Sequence, residues 1–282
     1  MQRDDIDSLD NRDEAQIARL STFVDTVVRP WFRAEVRGLD RVPLGPALYV
    51  GNHNAGLLMP EALLLGAAVY RAHGLRAVPF GLAGDSVVSL PLLRELVVPL
   101  GAVRASPDNA RRLLARGDKV LVYPGGDYEA MRPFRDRHRI VFNGRRGYVR
   151  TAVRAGVPVL PVVAAGAHST FVILDDGRWL AKLVGAEKFL RIGVWPITLC
   201  LPWGLVVGPW LVYLPWPSRI IVEVLDPIRF DREGEEAAAD DAYVGACAQQ
   251  VETTMQRALT RLARERRAGS RDARPAPARR GE

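Results

Sequence analysis

Short apolar runs alternate with segments of helical periodicity along most of this chain of 282 residues. Runs of four to eight apolar residues predict strands that are covered on both faces, and apolar residues recurring every three or four positions predict helices. The predicted strands are Ala47–Asn52, Ala77–Leu82, Lys119–Tyr123, Val157–Val163 and Ile220–Leu225. The predicted helices are Leu57–His73, Leu90–Leu100, Asp108–Arg116, Gly147–Ala155 and roughly Asp240 to Arg267. This alternation favours a single α/β domain with a mostly parallel central sheet flanked by helices.

The two ends of the chain depart from the central pattern. From Glu14 to about Arg37 the apolar residues lie at helical spacing, with an interruption near Pro30. Residues 1–37 are therefore predicted to form an amphipathic helical region before the main domain, residues 38–267. More than half of the net charge of +7 lies between Arg264 and Glu282. Residues 268–282 are predicted to form a disordered basic tail, and we expect no nucleic-acid partner.

Residues 192–218, rich in tryptophan and proline, carry no charged side chain. The segment is long enough to span a bilayer, but its five prolines would break a straight helix repeatedly. Tryptophan and tyrosine rings favour the boundary between membrane and water. We interpret the segment as a kinked element that contacts a membrane surface, flanked by arginines that can meet anionic headgroups. A buried hairpin, a dimer interface and a true span are the alternatives.

Composition limits the location and the chemistry. Cys200 and Cys247 are too few for a disulfide framework and too far apart for a metal motif, which predicts a reducing compartment. The N-terminus is acidic and polar and predicts no secretory signal. The sequence lacks the GxSxG, GxGxxG, GxxxxGK[ST] and HExxH motifs, which disfavours serine hydrolases, NTPases and zinc enzymes. We expect no metal site and no cofactor.

The first candidate site is VGNHNAGLLMPEALLL, residues 50–65. An apolar strand ends at Gly51, and His53 follows where the carboxyl edge of a sheet forms the ligand crevice of α/β folds. A neutral imidazole there can take a proton from a hydroxyl if a carboxylate or a carbonyl fixes its other nitrogen. Glu61 is the nearest carboxylate, and Asn52 and Asn54 can hold the turn. A structural histidine is the alternative interpretation.

The second candidate site is KVLVYPGGDYEAMRP, residues 119–133, in which a strand runs into Pro124, Gly125 and Gly126. Paired glycines allow close backbone approach to a ligand and can present amides to an oxyanion. Arginines follow closely, among them Arg132 and Arg145. The alternatives are an ordinary tight turn and a solvated basic face.

Together these residues resemble the glycerolipid (lysophospholipid) acyltransferase superfamily, and most closely its diacylglycerol-acyltransferase-like branch. The resemblance covers about residues 40 to 230. The motifs that carry it are NHNAGLLMPE at 52–61, GAVRASPDNARRLL at 101–114, YPGGDYEA at 123–130 and RAGVPVLPVVAAG at 154–166. It implies transfer of a fatty acyl group from a thioester to a hydroxyl, with His53 as general base and an acidic partner that orients it.

The sequence departs from the common pattern of that superfamily in two places. The usual acid, five positions after the histidine, is here Leu58, so Glu61 takes the role of partner. The usual Pro-Glu-Gly-Thr-Arg turn is replaced by Pro124-Gly125-Gly126-Asp127-Tyr128, which lacks the phosphate-gripping arginine. A phosphate-free acceptor such as a diacylglycerol is then favoured, with Glu129 in the acceptor pocket.

We therefore expect a membrane-associated O-acyltransferase on the cytoplasmic face of a membrane. It would use acyl-CoA or acyl-carrier protein as co-substrate and a lysophospholipid or diacylglycerol as acceptor. The expected catalytic residues are His53 and Glu61, and the expected substrate-binding residues are Asn52, Arg104, Pro124, Gly125, Gly126, Glu129, Arg132 and Arg145. The alternatives are a non-catalytic lipid-binding membrane protein and a thioester or lipid hydrolase. The sequence indicates no oligomeric state.

Overall fold

A mixed sheet of seven strands lies at the centre of the protein. The computed structural model describes residues 6–56, 58–185, 194–208 and 212–272. In spatial order the strands are β1 (Glu35–Arg37), β10 (Ile221–Val224), β6 (Val159–Ala165), β2 (Ala47–Gly51), β5 (Lys119–Val122), β3 (Phe80–Ala83) and β4 (Ala102–Arg104). The last five of these are mutually parallel, and β1 and β10 run in the opposite direction. The mostly parallel sheet predicted from the sequence is confirmed.

Helices cover both faces of this sheet. They are α1 (Glu14–Phe23), α2 (Arg29–Trp31), α3 (Pro60–His73), α4 (Asp85–Val88), α5 (Pro91–Val97), α6 (Pro107–Ala115), α7 (Gly126–Ala130), α8 (Gly147–Ala155), α9 (Arg178–Leu183), α10 (Gly234–Ala239) and α11 (Asp241–Asp272). Successive side chains of a strand point to opposite faces. Leu48 and Val50 of β2 accordingly pack in the core with α6, α8 and α11, and Tyr49 packs in the core with α3. All five residues of β2 are buried, which explains its uninterrupted apolar sequence.

Most of the predicted elements are present, with shifted ends. β2 and β5 begin at the predicted residues, and α8 has both predicted ends. The Ser106 hydroxyl accepts a hydrogen bond from the Asn109 N–H at 3.1 Å and so caps α6 as its sequence indicates. The strand predicted from Ala77 begins only at Phe80, because a 3₁₀ turn occupies Leu75–Ala77.

The N-terminal helix is shorter than predicted. It runs through α1, a π-helical stretch at Val24–Val28 and α2, and ends at Trp31. The prediction of helix as far as Arg37 was wrong, because Glu35–Arg37 pair with β10 as strand β1. At the other end, α11 continues to Asp272, and residues 273–282 of the predicted tail lie outside the described residues.

A small antiparallel sheet contains much of the segment rich in tryptophan and proline. It consists of β7 (Val172–Asp175), β8 (Ile197–Cys200) and β9 (Gly204–Val207). Its inner face carries Ile173 and Cys200, which are fully buried, and its outer face carries exposed leucines such as Leu174 and Leu205. Residues 192–193 and 209–211 lie outside the described residues. Within the described parts of the chain, no helix is long and apolar enough to cross a membrane.

Candidate active site

His53 lies two residues beyond the carboxyl end of β2, at the edge of the sheet where the parallel strands end. The side chain of Asn52 fixes the chain at this point. Its Nδ2 donates to the Ala164 carbonyl oxygen at 3.1 Å, and its Oδ1 accepts from the Ala164 N–H at 2.8 Å. Asn52 therefore continues the pairing of β2 with β6 by one residue. This geometry fits the prediction that Asn52 holds the turn. Both polar groups of its side chain are hydrogen-bonded to the backbone of Ala164.

The imidazole of His53 is half-buried and held by its neighbours. Its Nδ1 lies 3.0 Å from the carbonyl oxygen of Asn54, so we assign the proton to Nδ1, where it is donated to that oxygen. In this tautomer the lone pair lies on Nε2. The ring also packs against Tyr123 at a centroid distance of 5.2 Å. Removal of water from the ring lowers the pKa of His53 to about 4, so the imidazole is neutral at pH 7.

The glycine bend between β5 and α7 lies next to this histidine. Gly126 has a φ of +55°, and its N–H donates to the Tyr123 carbonyl oxygen at 3.1 Å, so this amide is engaged within the turn. A Cβ on Gly125 would lie 2.3 Å from the Glu129 Cβ and 2.5 Å from the Val141 carbonyl oxygen. Only glycine fits at position 125, because the bend packs directly on the Glu129 side chain.

Glu129 is fully buried and contacts the backbone of His53. One carboxylate oxygen accepts the His53 N–H at 2.9 Å, and the other accepts the Val141 N–H at 3.1 Å. Burial raises the pKa of Glu129 to about 7, an effect that the charge of Arg132 and these two amides oppose. Glu129 was predicted to line the acceptor pocket, and in the structure both of its oxygens are occupied by backbone amides.

Arg132 is also buried, with 3% of its surface exposed. Its Nη1 donates to the carbonyl oxygens of His53, at 2.5 Å, and of Glu129, at 2.6 Å. Its Nε donates to the carbonyl oxygen of Asp136 at 3.3 Å. On the other side, the ring Nε2 of the buried His168 lies 2.9 Å from the Arg132 carbonyl oxygen. The guanidinium that the sequence assigned to substrate is thus directed into the protein.

Glu61, the predicted acidic partner of His53, is the second residue of α3 and is 3% exposed. Both of its carboxylate oxygens are buried. Burial raises the pKa of Glu61 to about 7, an effect that the neighbouring side chain and backbone of Asn54 oppose. Because the Nδ1 of His53 meets the Asn54 carbonyl, the orienting contact predicted for an acid is made by a carbonyl. A catalytic role for Glu61 stays a prediction.

The predicted arginine contacts separate in space. Arg145 lies at the bend, where its Nη1 donates to the carbonyl oxygens of Pro124 and Gly125 at 3.2 and 3.3 Å. Arg104 pairs with Asp85 at 2.7 Å, at the end of β4 and three strands away from β2. Other arginines between residues 132 and 154 form ion pairs away from the bend, as Arg154 does with Glu235. Of Arg104 and Arg145, only Arg145 adjoins the bend.

Three neighbours of the site were not singled out from the sequence. The guanidinium of Arg178, at the start of α9, lies 5.1 Å from the centre of the Tyr128 ring, and that of Arg145 lies 5.7 Å from it. The Tyr213 hydroxyl accepts the Leu58 N–H at 3.3 Å and so contacts the loop after His53. Tyr123, directly before the bend, could have been found from its position, whereas Arg178 and Tyr213 are far from both motifs in sequence.

Comparison with known proteins identifies the family. Residues 33–165 match the family model described as Acyltransferase. An uncharacterised protein of Mycobacterium tuberculosis is 34% identical over 254 residues, which cover 87% of this chain and 68% of that protein. The human "DGAT1/2-independent enzyme synthesizing storage lipids" is 26% identical over 171 residues, covering 60% of this chain and 51% of the relative.

Two further comparisons extend this relationship. Human diacylglycerol O-acyltransferase 2 is 27% identical over 111 residues, 38% of this chain and 28% of that protein. The fold is that of the crystal structure of the 1-acyl-sn-glycerophosphate acyltransferase PlsC from Thermotoga maritima, with a TM-score of 0.54 and 17% identity over 93% of this chain and 81% of that one. The chain belongs to the glycerolipid (lysophospholipid) acyltransferase superfamily and is an acyltransferase, as its motifs predicted.

Proposed function

We propose that this enzyme transfers a fatty acyl group from acyl-CoA or acyl-carrier protein to the hydroxyl of a glycerolipid at a membrane surface, with His53 as general base. The observation that carries this proposal is the neutral imidazole of His53, whose Nδ1 is held by the Asn54 carbonyl, so that Nε2 carries the lone pair that can accept a proton. A base with this geometry needs no carboxylate to select its tautomer.

The proposed reaction has two proton transfers. Nε2 takes the proton from the acceptor hydroxyl while the oxygen attacks the thioester carbonyl carbon, which forms the C–O bond of a tetrahedral intermediate. The intermediate then collapses and the C–S bond breaks. The imidazolium returns the proton to the departing thiolate, so the products are an oxygen ester and a free thiol, and His53 is neutral again.

Two arginines at the bend support a site for the thioester donor. Arg145 and Arg178 approach the same ring, that of Tyr128, and both are exposed. A guanidinium binds phosphate oxygens through paired N–H donors. We assign the phosphate at the end of the donor's phosphopantetheine arm to this pair. Arg132 is buried, and its guanidinium already donates to the carbonyl oxygens of His53 and Glu129. Arg145 and Arg178 are therefore better placed than Arg132 to bind this phosphate.

The outer face of the small sheet supports membrane attachment. Leu174, Leu205 and Val207 point outward with 48%, 63% and 55% of their surface exposed. On the neighbouring helix α9, Trp179 and Leu183 are exposed beside the basic residue Lys182. Apolar side chains next to a cation are suited to the interface of an anionic bilayer. We propose that this face docks on the membrane, on its cytoplasmic side.

The acceptor class follows from the bend. The sequence has Asp127 and Tyr128 where related enzymes carry a threonine and a phosphate-binding arginine, so the proposed acceptor is a phosphate-free lipid alcohol such as a diacylglycerol. A phosphate-bearing acceptor, a lysophospholipid, is the comparison substrate in the assay below.

The test is a transfer assay with labelled oleoyl-CoA and a panel of lipid alcohols, with the products identified by mass. We expect a lipid ester to form together with an equal amount of free CoA, and His53→Ala to lower kcat by roughly 100- to 10,000-fold. His53→Ala should keep the thermal midpoint of the wild type. Near-normal turnover by folded His53→Ala would exclude His53 as the base. CoA release without an acceptor would indicate a hydrolase, and binding without turnover would indicate a lipid-binding protein.

A further inference from the structure

Two buried side chains hold the peptide groups on either side of the His53 Cα. The carboxylate of Glu129 accepts the His53 N–H at 2.9 Å. The guanidinium of Arg132 donates to the His53 carbonyl oxygen at 2.5 Å. Because one group belongs to the peptide before the Cα and the other to the peptide after it, the two contacts together restrain both backbone torsions of the residue that carries the imidazole.

The two side chains are themselves immobilised. The second oxygen of Glu129 accepts the Val141 N–H at 3.1 Å. Arg132 uses its Nε, Nη1 and Nη2 to donate to backbone carbonyl oxygens, and its Nη1 also joins it to the Glu129 carbonyl at 2.6 Å. The exposed fractions are 0% for Glu129 and 3% for Arg132. Side chains that are buried and engaged in this way have no free face to offer to a lipid or to a phosphate.

We propose that Glu129 and Arg132 are positioning residues, which fix the direction of the His53 ring toward the reacting hydroxyl, and that neither contacts substrate. This inference rests on the proposed role of His53 as the base. A displacement of about 1 Å at a reacting group is enough to lower a rate about 100-fold. A base on a loop needs such supports, since β2 ends at Gly51 and, among the described residues 53–56, none is part of a strand.

The test compares Arg132→Lys and Glu129→Gln with the matched control Arg135→Lys, whose side chain is 74% exposed on the same segment. Lysine cannot reach the several carbonyls that the guanidinium spans. An amide offers one acceptor oxygen, so glutamine cannot accept from both the His53 and the Val141 N–H groups. We expect kcat to fall about 10- to 100-fold in both variants, with KM for donor and acceptor within about twofold. The control should keep wild-type kinetics.

A second readout needs no substrate. With histidine labelled by ¹³C and ¹⁵N, the ring signals of His53 should shift or split in Glu129→Gln and Arg132→Lys and stay unchanged in Arg135→Lys. Thermal unfolding identifies the variants that fold. If Arg132→Lys does not fold, Glu129→Gln, which preserves the side-chain volume, provides the test.

The outcomes test the positioning role of Glu129 and Arg132 separately from the role of His53 as the base. A tenfold or greater rise in KM with kcat and ring signals unchanged would overturn the positioning role and return these residues to substrate binding. Wild-type kinetics and ring signals in folded Glu129→Gln would also overturn it. If His53→Ala retains turnover while the two variants still move the His53 signals, the base assignment fails but the control of the ring by Glu129 and Arg132 stands.

Discussion

Two regions of the protein differ in which side chains they bury. Charged side chains are buried around His53, whereas apolar side chains are exposed on the small sheet of β7, β8 and β9. Around His53, the charged residues Glu129 and Arg132 lie in the interior, where backbone groups satisfy them. On the small sheet, Leu174 and Leu205 lie outside with 48% and 63% of their surface in solvent. Glu129 and Arg132 are thus bound to backbone groups of the interior, and the exposed apolar residues mark a surface that is available for contact.

The two regions adjoin each other. The inner face of the small sheet packs Ile173 and Cys200 against Ala55 in the loop after His53. Gly56 in the same loop has a φ of +82°, and a Cβ there would lie 2.1 Å from the Tyr213 hydroxyl. The loop that carries the proposed base is therefore supported from one side by the buried polar centre and from the other by the small sheet.

Among substitutions that leave His53 in place, the largest loss of turnover is expected at the bend that supports the buried centre. Gly125→Ala places a methyl group 2.3 Å from the Glu129 Cβ, so Glu129 must move away from the His53 amide. We expect the free energy of unfolding to fall by about 1 to 3 kcal/mol and kcat to fall about 100-fold. Gly147→Ala, where a Cβ meets nothing within 4 Å, is the control and should be close to wild type. Denaturant unfolding and the transfer assay measure both, and a fully active Gly125→Ala would refute the close packing.

Adjacent residues of β7 separate the two faces of the small sheet. Ile173 is 0% exposed and Leu174 is 48% exposed. Ile173→Ala should lower the free energy of unfolding by about 2 to 4 kcal/mol. Leu174→Ala should change it by less than about 0.5 kcal/mol but reduce recovery with anionic vesicles about 3- to 10-fold in a flotation assay. Equal vesicle binding by wild type and Leu174→Ala/Leu205→Ala would count against this face as the membrane contact.

The smallest effect concerns the protonation of His53. Desolvation lowers its pKa from 6.5 to about 4, so between these pH values the unfolded chain binds more protons at this site. This site therefore lowers the free energy of unfolding as the pH falls from 6.5 to 4. Burial raises the pKa of Glu61 and Glu129 to about 7, which acts in the opposite direction, so overall stability does not isolate His53. We expect the His53 ring signal, identified by its loss in His53→Gln, to titrate near pH 4 by NMR. A midpoint near 6.5 would show that water reaches the ring.

Some expectations depended only on local pattern, and these agree with the structure. The buried strand Ala47–Gly51 and the helix Gly147–Ala155 have the predicted ends or nearly so. Ser106 caps the helix that follows it. The edge strands β1 and β4 were not predicted, because each has only three residues and is too short to show a periodic pattern. β8 and β9 were missed because apolar residues on both faces give no alternation to detect.

Periodicity and short runs of residues were enough to establish the α/β class, the family and the positions of the His53 and glycine-bend motifs. The directions of the side chains depended on how the strands and loops come together in space. The family resemblance implied an acidic partner for His53 and an acceptor-pocket role for Glu129, and the arginine-rich run suggested a substrate role for Arg132. In the structure Nδ1 of His53 contacts the Asn54 carbonyl, and the other two side chains contact the His53 backbone. The physical reason is that a charged side chain binds whichever unpaired groups the fold brings near it, and those groups here come from strands and loops distant in sequence.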